Sequence, residues 1–184
     1  MKRLFDIITC LLAVILLMPL ALLIAAAIAF ESQGGVFFLQ DRAGINGKVF
    51  KIFKFRTMIP DAEDKGPLLA VRGDPRVTRL GRLLRRWSLD ELPQLFNILR
   101  GEMSLVGPRP EIIPIVKGYS RWQRKALQVK PGLTGISQVM GRDDLSMETK
   151  LRLDIYYIRH QRFCFDMWII WKTGVIVLTG KGAF

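Results

Sequence analysis

The fold and the chemistry of this chain are organised around residues 84–110, LRRWSLDELPQLFNILRGEMSLVGPRP. The carboxylate pair Asp90 and Glu91 lies here between an arginine-rich segment and a Gly-Pro-Arg-Pro turn. Cations and a tight turn beside two carboxylates can hold a second anion next to them. The pattern therefore indicates chemistry on a phosphate, with a carboxylate as nucleophile or as metal ligand.

Local structure within this stretch is predicted from Ser88, Pro93 and Gly101. Ser88 followed three residues later by Glu91 is a capping-box pattern, with Ser88 as the N-cap. Pro93 disfavours a continuous helix and predicts a break or a fresh start, and Gly101 predicts the end of the apolar segment. Acidic residues in a first helical turn commonly complement the helix dipole, so the pair alone leaves a structural role open.

Arg109 and Lys54 are the candidate phosphate-binding cations on either side of the pair. Two prolines fix the backbone around Arg109, and a rigidly presented arginine suits bidentate phosphate recognition. The alternative is a structural turn with an exposed arginine. Lys54 follows the second of two short β-like runs, 36–39 and 49–53, where cations alternate with phenylalanines. Those cations could line a pocket, but a strand with a solvated basic face is the simpler interpretation.

An amphipathic helix is predicted over Val77 to Trp87, with apolar residues at helical spacing and four arginines, Arg85 among them, on the polar side. A basic amphipathic helix commonly lies on an anionic membrane surface. A solvated helix face and a nucleic-acid-binding helix are the alternatives.

Bulk composition points to an anionic partner and to concentrated apolar segments. The chain has 184 residues and a formal net charge of +12. Its mean hydropathy is +0.23, high for a chain with so many charges. Two cysteines give no disulfide framework and no metal-ligand spacing, and a single histidine excludes any mechanism that needs two. The partner is expected to be a lipid headgroup, a nucleic acid or a phosphorylated substrate.

The N-terminal segment Ile7 to Phe30 carries no charge and is long enough to cross a bilayer. A signal peptide, a single spanning helix and a re-entrant hairpin are the three interpretations, although the apolar stretch is longer than an ordinary signal peptide's. Pro19, near its middle, favours the hairpin because proline kinks a helix. Basic residues on both flanks also favour it, since the positive-inside rule then places both ends in the cytoplasm. These residues alone leave span and hairpin evenly matched.

The remaining chain is predicted to be mainly helical. Helices are expected over Ile112 to Val129 and Ser146 to His160, with a type II turn at Pro131-Gly132 between them. Phe163 to Leu178 is apolar but interrupted by charges, which favours an interfacial or core helix over a second span.

Taken together, these motifs resemble the monotopic phosphoglycosyl transferases, also called bacterial sugar transferases. The resemblance covers nearly the whole chain and looks like the small, catalytic-domain-only form. It rests on RLFD at 3–6, QDRAG at 40–44, KFRTM at 54–58, SLDELPQ at 88–94, MSLVGPRP at 103–110, PGLTG at 131–135 and DIYY at 154–157.

Membership of that family implies a reaction, a fold and a location. These enzymes transfer a phospho-sugar from a UDP-sugar to a polyprenol phosphate and release UMP. The implied fold is a mostly helical α/β domain with interfacial amphipathic helices and a short β-sheet. Residues 1–33 would form a re-entrant helix-break-helix, and residues 34–184 a cytoplasmic catalytic domain lying on the membrane. The expected location is the cytoplasmic face of the bacterial inner membrane.

The resemblance also implies roles for individual residues. Asp90 matches the family's nucleophile, and Glu91 beside it helps to hold Mg²⁺. The phosphate-contacting cations match Lys54, Arg85 and Arg109, and Asp166 matches a late acidic residue near the site by spacing. Met18 precedes Pro19 where family members often carry serine, which leaves the stabilisation of the hairpin less defined.

The chemistry of these residues agrees with the implied mechanism. An aspartate with an ordinary pKa near 3.9 is ionised at neutral pH and needs no general base. Mg²⁺ prefers carboxylate and phosphate oxygens, and the cations can stabilise the transferring phosphoryl group. The expected partners are a UDP-sugar, a polyprenol phosphate and membrane lipids, with no nucleic acid. The identity of the sugar is left open, and so is the oligomeric state, with a homodimer as one option.

Two other classes of function compete with this reaction. A membrane-anchored nucleic-acid-binding protein would explain the net charge and the arginine helix, but not the Asp-Glu pair or the Gly-Pro-Arg-Pro turn. A membrane scaffold would require neither Asp90 nor Arg109 for any activity.

Overall fold

The computed structural model describes residues 1–67, 71, 73–141 and 144–179. The described chain is mostly helical, as predicted, with two small two-stranded sheets. The C-terminal end of the predicted catalytic domain, residues 180–184, lies outside the described residues. In chain order the elements are α1 (Lys2–Glu31), β1 (Phe37–Ala43), a 3₁₀ turn in the hairpin loop (Ile45–Gly47), β2 (Val49–Phe55), α2 (Arg79–Arg86), a 3₁₀ helix (Leu89–Glu91), α3 (Gln94–Arg100), β3 (Ser104–Val106), α4 (Ile113–Lys117), a second 3₁₀ helix (Gln123–Leu127), β4 (Gly132–Thr134), α5 (Ile136–Met140), α6 (Met147–Arg159) and α7 (Phe163–Thr179).

Helix α1 is long and apolar enough to cross a membrane. It runs from Lys2 to Glu31 with Pro19 inside it, so the predicted interruption at Pro19 is not observed. The reason is local: a proline removes a single backbone donor, and the turns on either side keep their own hydrogen bonds. Most of the helix surface is exposed, and only Asp6, Cys10, Ile24 and Ile28 are buried.

Strands β1 and β2 form an antiparallel hairpin, as the two β-like runs predicted. Phe37 pairs with Phe55 at one end and Ala43 with Val49 at the other. The inward side chains Phe50 and Ile52 pack with Ile98 of α3 in one hydrophobic cluster. The hairpin therefore fixes the position of α3 and of the segment that leads to it.

The connection between α2 and α3 differs from the capping box predicted at Ser88. Ser88 has a φ of 54°, in the left-handed region, and its side chain makes no cap hydrogen bond. An N-cap residue normally has extended backbone angles, so this conformation excludes the predicted cap. A short 3₁₀ helix follows, and α3 then begins after Pro93 and ends at Gly101, where a break and a stop were predicted.

The Gly-Pro-Arg-Pro turn follows β3, which pairs in parallel with β4. The expected type II turn at Pro131-Gly132 is wrong, because Gly132 begins strand β4 and does not have a positive φ. Gly107 and Gly132 approach each other closely, since a Cβ on Gly132 would overlap the backbone of Gly107. This close approach holds the start of the turn that carries Arg109 against β4.

The C-terminal third of the chain is helical but more divided than predicted. The helix expected over residues 112–129 is two short pieces, α4 and the second 3₁₀ helix, because Gly118 follows the last residue of the first piece. Helices α6 and α7 match their predicted ranges closely. Ile169 of α7 packs with Val106 and Tyr157 in a cluster that joins both helices to β3.

Candidate active site

A cavity of about 610 Å³ lies beside the Asp-Glu pair. Its wall combines residues from β1, β2, both 3₁₀ helices, the turn after β3, α5 and α6. All five cations and carboxylates predicted at the centre of the site line it: Lys54, Arg85, Asp90, Glu91 and Arg109. The fold therefore brings together residues up to 55 positions apart in the chain.

Asp90 and Glu91 are placed by the 3₁₀ helix Leu89–Glu91 between α2 and α3. Both side chains are buried, with 8% and 9% of their surface exposed. A buried carboxylate needs a compensating cation or donor, because its removal from water is costly. Neighbouring cations outweigh the effect of burial on the pKa of Glu91 but not on that of Asp90.

Glu91 is held between two cations from different elements. Lys54 Nζ, from β2, donates to Glu91 Oε1 at 2.7 Å, and Arg109 Nη2, from the turn after β3, donates to the same oxygen at 3.1 Å. Burial alone would raise the pKa of Glu91, but attraction and hydrogen bonds from Lys54 and Arg109 outweigh it and hold that pKa well below its usual range. Glu91 is therefore a carboxylate that stays ionised and orders both cations.

Asp90 has a different electrostatic balance. Burial raises its pKa, and the neighbouring Glu91 carboxylate raises it further, whereas Lys54, Arg85 and Arg109 lower it. The net pKa of Asp90 is raised, in contrast to the ordinary pKa expected from the sequence, because the fold buries this carboxyl. The Asp90 carboxylate is thus weakly solvated, which is an environment that favours reactivity over stable pairing.

Arg85 extends from α2 into the cavity wall and is oriented by Thr57. Its Nε donates to Thr57 Oγ1 at 2.9 Å. Burial lowers the pKa of Arg85, and the nearby carboxylate of Asp90 raises it. Arg85 therefore adds positive potential on the side of Asp90.

Asp166 and Pro19 lie away from this cavity. Asp166 is buried on α7, where it accepts hydrogen bonds from Lys2 and from Tyr157, and it is not among the residues that line the cavity. Tyr157 Oη also contacts the backbone of Val106. The structure thus places Asp166 in a contact between the beginning of α1 and the end of the domain, while Pro19 lies within the exposed middle of α1.

Arg42, Thr57 and Asp154 also line the cavity, although the sequence predicted no role for them. Arg42 Nη1 donates to the carbonyl of Pro110 at 3.0 Å, and burial lowers the pKa of Arg42 to about 10. No periodicity marks these residues. However, each lies within a motif that carried the family resemblance, and that was the signal that could have found them.

The acidic residues of the site fit a magnesium ion that also binds a phosphate. Among the residues that the structure describes, no cluster of three or more His, Cys, Asp or Glu residues could hold a metal by itself. Mg²⁺ is usually bound by one or two carboxylates together with substrate phosphates. Asp90 and Glu91 supply two adjacent carboxylates, and the raised pKa of Asp90 marks a carboxylate whose charge a cation would stabilise.

Comparison with known proteins identifies the family. The family model described as bacterial sugar transferase matches residues 1–180. The exopolysaccharide production protein ExoY of Sinorhizobium fredii is 38% identical over 100% of this chain and 88% of its own length. The UDP-N-acetylgalactosamine-undecaprenyl-phosphate N-acetylgalactosaminephosphotransferase of Aeromonas hydrophila is 41% identical over 99% of the chain and 44% of its own length.

A third relative, the undecaprenyl-phosphate galactose phosphotransferase of Salmonella typhimurium, is 36% identical over 100% of the chain and 42% of its own length. The match thus extends over the whole chain for relatives of very different lengths. The region matched by the family model includes every residue that lines the cavity. The chain belongs to the bacterial sugar transferase family.

Proposed function

We propose that this protein transfers a phospho-sugar from a UDP-sugar to a polyprenol phosphate, giving a polyprenyl-diphospho-sugar and UMP. The relatives named as undecaprenyl-phosphate phosphotransferases support the general reaction. The observation that carries the proposal is the placement of a weakly solvated carboxylate, Asp90, beside Lys54, Arg85 and Arg109 in one cavity. Such a site attracts a diphosphate and presents a nucleophile to it.

The proposed reaction has two displacements at the same phosphorus atom. An oxygen of Asp90 bonds to the phosphorus that bears the sugar, and the bond from that phosphorus to UMP breaks. An oxygen of the polyprenol phosphate then bonds to this phosphorus, and the bond to Asp90 breaks. The carboxylate is regenerated, so the cycle needs no oxidant and no net proton transfer through the enzyme.

The cations have distinct parts in this scheme. Lys54 and Arg109 are oriented by Glu91, which positions them for the oxygens of the transferring phosphoryl group, and Arg85 acts from the side of α2. Asp90 and Glu91 would also hold Mg²⁺, which neutralises charge on the diphosphate when it is bound. The phosphorylation of Asp90 and the magnesium site are both part of the proposal.

We also propose that α1 enters and leaves the membrane on one face, the cytoplasmic one. Both ends of α1 bind the same domain. Near its beginning, Ser104 Oγ donates to Asp6 Oδ2 at 2.8 Å; just after its end, Arg56 Nη2 donates to the carbonyl of Ser32 at 2.9 Å. A helix that crossed the bilayer would separate these two anchors by the ~30 Å hydrocarbon core.

The first test measures UMP release from UDP-galactose, UDP-glucose and UDP-N-acetylgalactosamine with Mg²⁺ and undecaprenyl phosphate. We expect one donor to yield lipid-dependent UMP, and Asp90→Asn to abolish it, because the amide is not a nucleophile. Asp41→Asn is the matched control, since Asp41 lies on the exposed face of β1 and pairs only at the surface with Lys51. Full activity of Asp90→Asn would contradict the assignment.

A second measurement tests the covalent step directly. Wild-type protein incubated with the active donor and Mg²⁺, without lipid acceptor, should gain the mass of one phosphosugar. The adduct should be absent in Asp90→Asn and should form poorly after removal of Mg²⁺ with a chelator. Rapid lipid-dependent turnover with no adduct on any residue would favour direct transfer from donor to acceptor.

A further inference from the structure

A second group of polar side chains lines the cavity, and the proposed reaction gives it no task. Ser137 and Gln138 come from the first turn of α5, and Asp154 comes from the middle of α6. Ser137 and Asp154 are buried, with 3% and 4% of their surface exposed. These residues form a wall of the cavity separate from the one that carries Asp90.

Two hydrogen-bond acceptors in this wall have no partner. Asp154 Oδ1 and Gln138 Oε1 are buried, and neither accepts a hydrogen bond from any part of the chain that the structure describes. The amide of Gln138 is oriented by its nitrogen, which donates to the carbonyl of Leu133 at 3.2 Å. Buried acceptors are almost always paired, so two in one cavity wall point to a ligand that supplies donors.

The charges around Asp154 favour a phosphate less than the charges around Asp90 do. The charged groups that act on Asp154 are Glu111 and Lys150, whereas the groups that act on Asp90 are Glu91 and the cations Lys54, Arg85 and Arg109. A diphosphate is attracted to the three cations and repelled by a carboxylate next to a second acidic residue. The wall at Asp154 therefore suits an uncharged group that is rich in hydrogen-bond donors.

We propose that Asp154 and Gln138 accept hydrogen bonds from hydroxyl groups of the sugar that is transferred. The inference rests on the proposed function, because it takes the donor to be a UDP-sugar whose diphosphate lies at the three cations. A hexosyl group carries several hydroxyl donors and no charge, which matches two acceptors without partners. This subsite would discriminate among sugars, because a hydroxyl that fails to reach it leaves a buried acceptor unpaired.

Equilibrium binding tests the subsite without requiring turnover. Titration calorimetry would measure the dissociation constants of UDP and of the UDP-sugar that binds tightest among UDP-galactose, UDP-glucose and UDP-N-acetylgalactosamine. At pH 8, where Asp154 is ionised, Asp154→Asn is expected to weaken binding of the UDP-sugar by about tenfold or more, the usual effect of losing a hydrogen bond to a charged acceptor. Binding of UDP should stay within about twofold of wild type. Gln138→Met should act in the same direction. Glu148→Gln is the matched control, since Glu148 lies on the exposed side of the same helix.

The outcomes separate the subsite from the reaction. Equal weakening of UDP and UDP-sugar by Asp154→Asn would assign this wall to the nucleoside and overturn the proposal. Unchanged binding of both in Asp154→Asn and in Gln138→Met would also overturn it, while the proposed function would stand. If the wild-type protein bound neither UDP nor any UDP-sugar, the proposed function would be contradicted, and the sugar subsite with it.

Discussion

At the scale of single residues, the site separates two adjacent carboxylates by their surroundings. Glu91 is held by Lys54 and Arg109 and has a lowered pKa, whereas Asp90 beside it is dominated by burial and has a raised one. Environments that push the pKa values of neighbouring groups apart commonly mark different roles in catalysis. In the proposed reaction, Glu91 orders the two cations and Asp90 forms the bond to phosphorus.

Asp154 should make the stability of the protein depend on pH. Burial raises the pKa of Asp154 to about 7; Glu111 raises it as well, while hydrogen bonds from Ser137 and the charge of Lys150 lower it. In the unfolded chain the same carboxyl ionises near its ordinary value of 3.8. Between these values the unfolded state loses its proton first, so the contribution of Asp154 destabilises the fold as pH rises from about 4 to 7.

Asp154→Asn should remove that contribution. We expect the ligand-free variant to be more stable than wild type at pH 8, by on the order of a few kcal/mol at most, and to show little difference at pH 4. Thermal unfolding at both pH values measures this. Tyr119, another group whose pKa Asp154 affects, stays protonated throughout because burial raises its pKa. Glu148→Gln should follow the wild type. A variant that was less stable at pH 8 would show that Asp154 is structural.

Individual site residues were predicted unevenly from the sequence. The family resemblance grouped Lys54, Arg85 and Arg109 with the Asp-Glu pair, and all five residues line one cavity. It placed Asp166 near the site, whereas the residue lies away from the cavity, because spacing along α7 does not reveal which neighbour a side chain meets. That neighbour is Lys2, 164 residues earlier in the chain.

At the scale of elements, the contact between α2 and the segment that follows β2 controls the position of Arg85. Gly81 of α2 lies against the backbone of Thr57, and a Cβ at this position would overlap the Thr57 carbonyl group. Thr57 in turn accepts hydrogen bonds from Thr78 N at 3.0 Å and from Arg85 Nε at 2.9 Å. The glycine therefore lets the helix approach closely enough for Arg85 to be oriented.

Gly81→Ala should displace α2 and reduce activity. The overlap is with backbone rather than with a flexible side chain, so we expect a loss of about 1–3 kcal/mol of stability and at least tenfold lower UMP release. Gly174→Ala is the control, because Gly174 lies in α7 with nothing within 4 Å of the added Cβ. There, alanine should be neutral or stabilising by up to about 1 kcal/mol. Equal behaviour of the two variants would contradict the role given to this contact.

The elements that the sequence predicted well are those defined by local patterns. Helices α6 and α7 and the β1–β2 hairpin show clear periodicity, and α3 ends at a glycine. The errors arose where distant segments decide the conformation. Gly132 has an extended backbone because it pairs with Ser104 of β3, 28 residues earlier in the chain. Ser88 has a left-handed backbone conformation at the point where the chain leads into the buried carboxylates.

At the scale of the whole molecule, α1 is part of the folded domain as well as an apolar segment. Cys10 packs with Ile98 and Met103, and Ile28 packs with Phe55 and Leu84, so both halves of the helix contribute to hydrophobic clusters. Between these contacts the side chains are largely exposed, including Ile15 and Leu16. The exposed middle is the part that would meet lipid if both ends stayed with the domain.

Cysteine accessibility tests this topology. Three variants would each carry a single cysteine, and all three would have Cys10 replaced by alanine. The first keeps the native Cys164, which is exposed on the domain. The other two replace Cys164 by serine and carry either Leu4→Cys or Gly35→Cys. A membrane-impermeant maleimide should label all three in inside-out vesicles and none in intact spheroplasts. Labelling of Leu4→Cys from the opposite side to Cys164 would establish a spanning helix instead.

The bond between Lys2 and Asp166 sets an order of events during synthesis. The two residues are separated by 164 positions, so at ribosomal rates of 5–20 residues per second Lys2 waits roughly 10 to 30 s for its partner. Asp6 likewise waits for Ser104. Helix α1 is thus made, and can meet the bilayer, well before α7 exists to close the domain against it. Closure of the domain on the beginning of α1 therefore waits for the synthesis of α7.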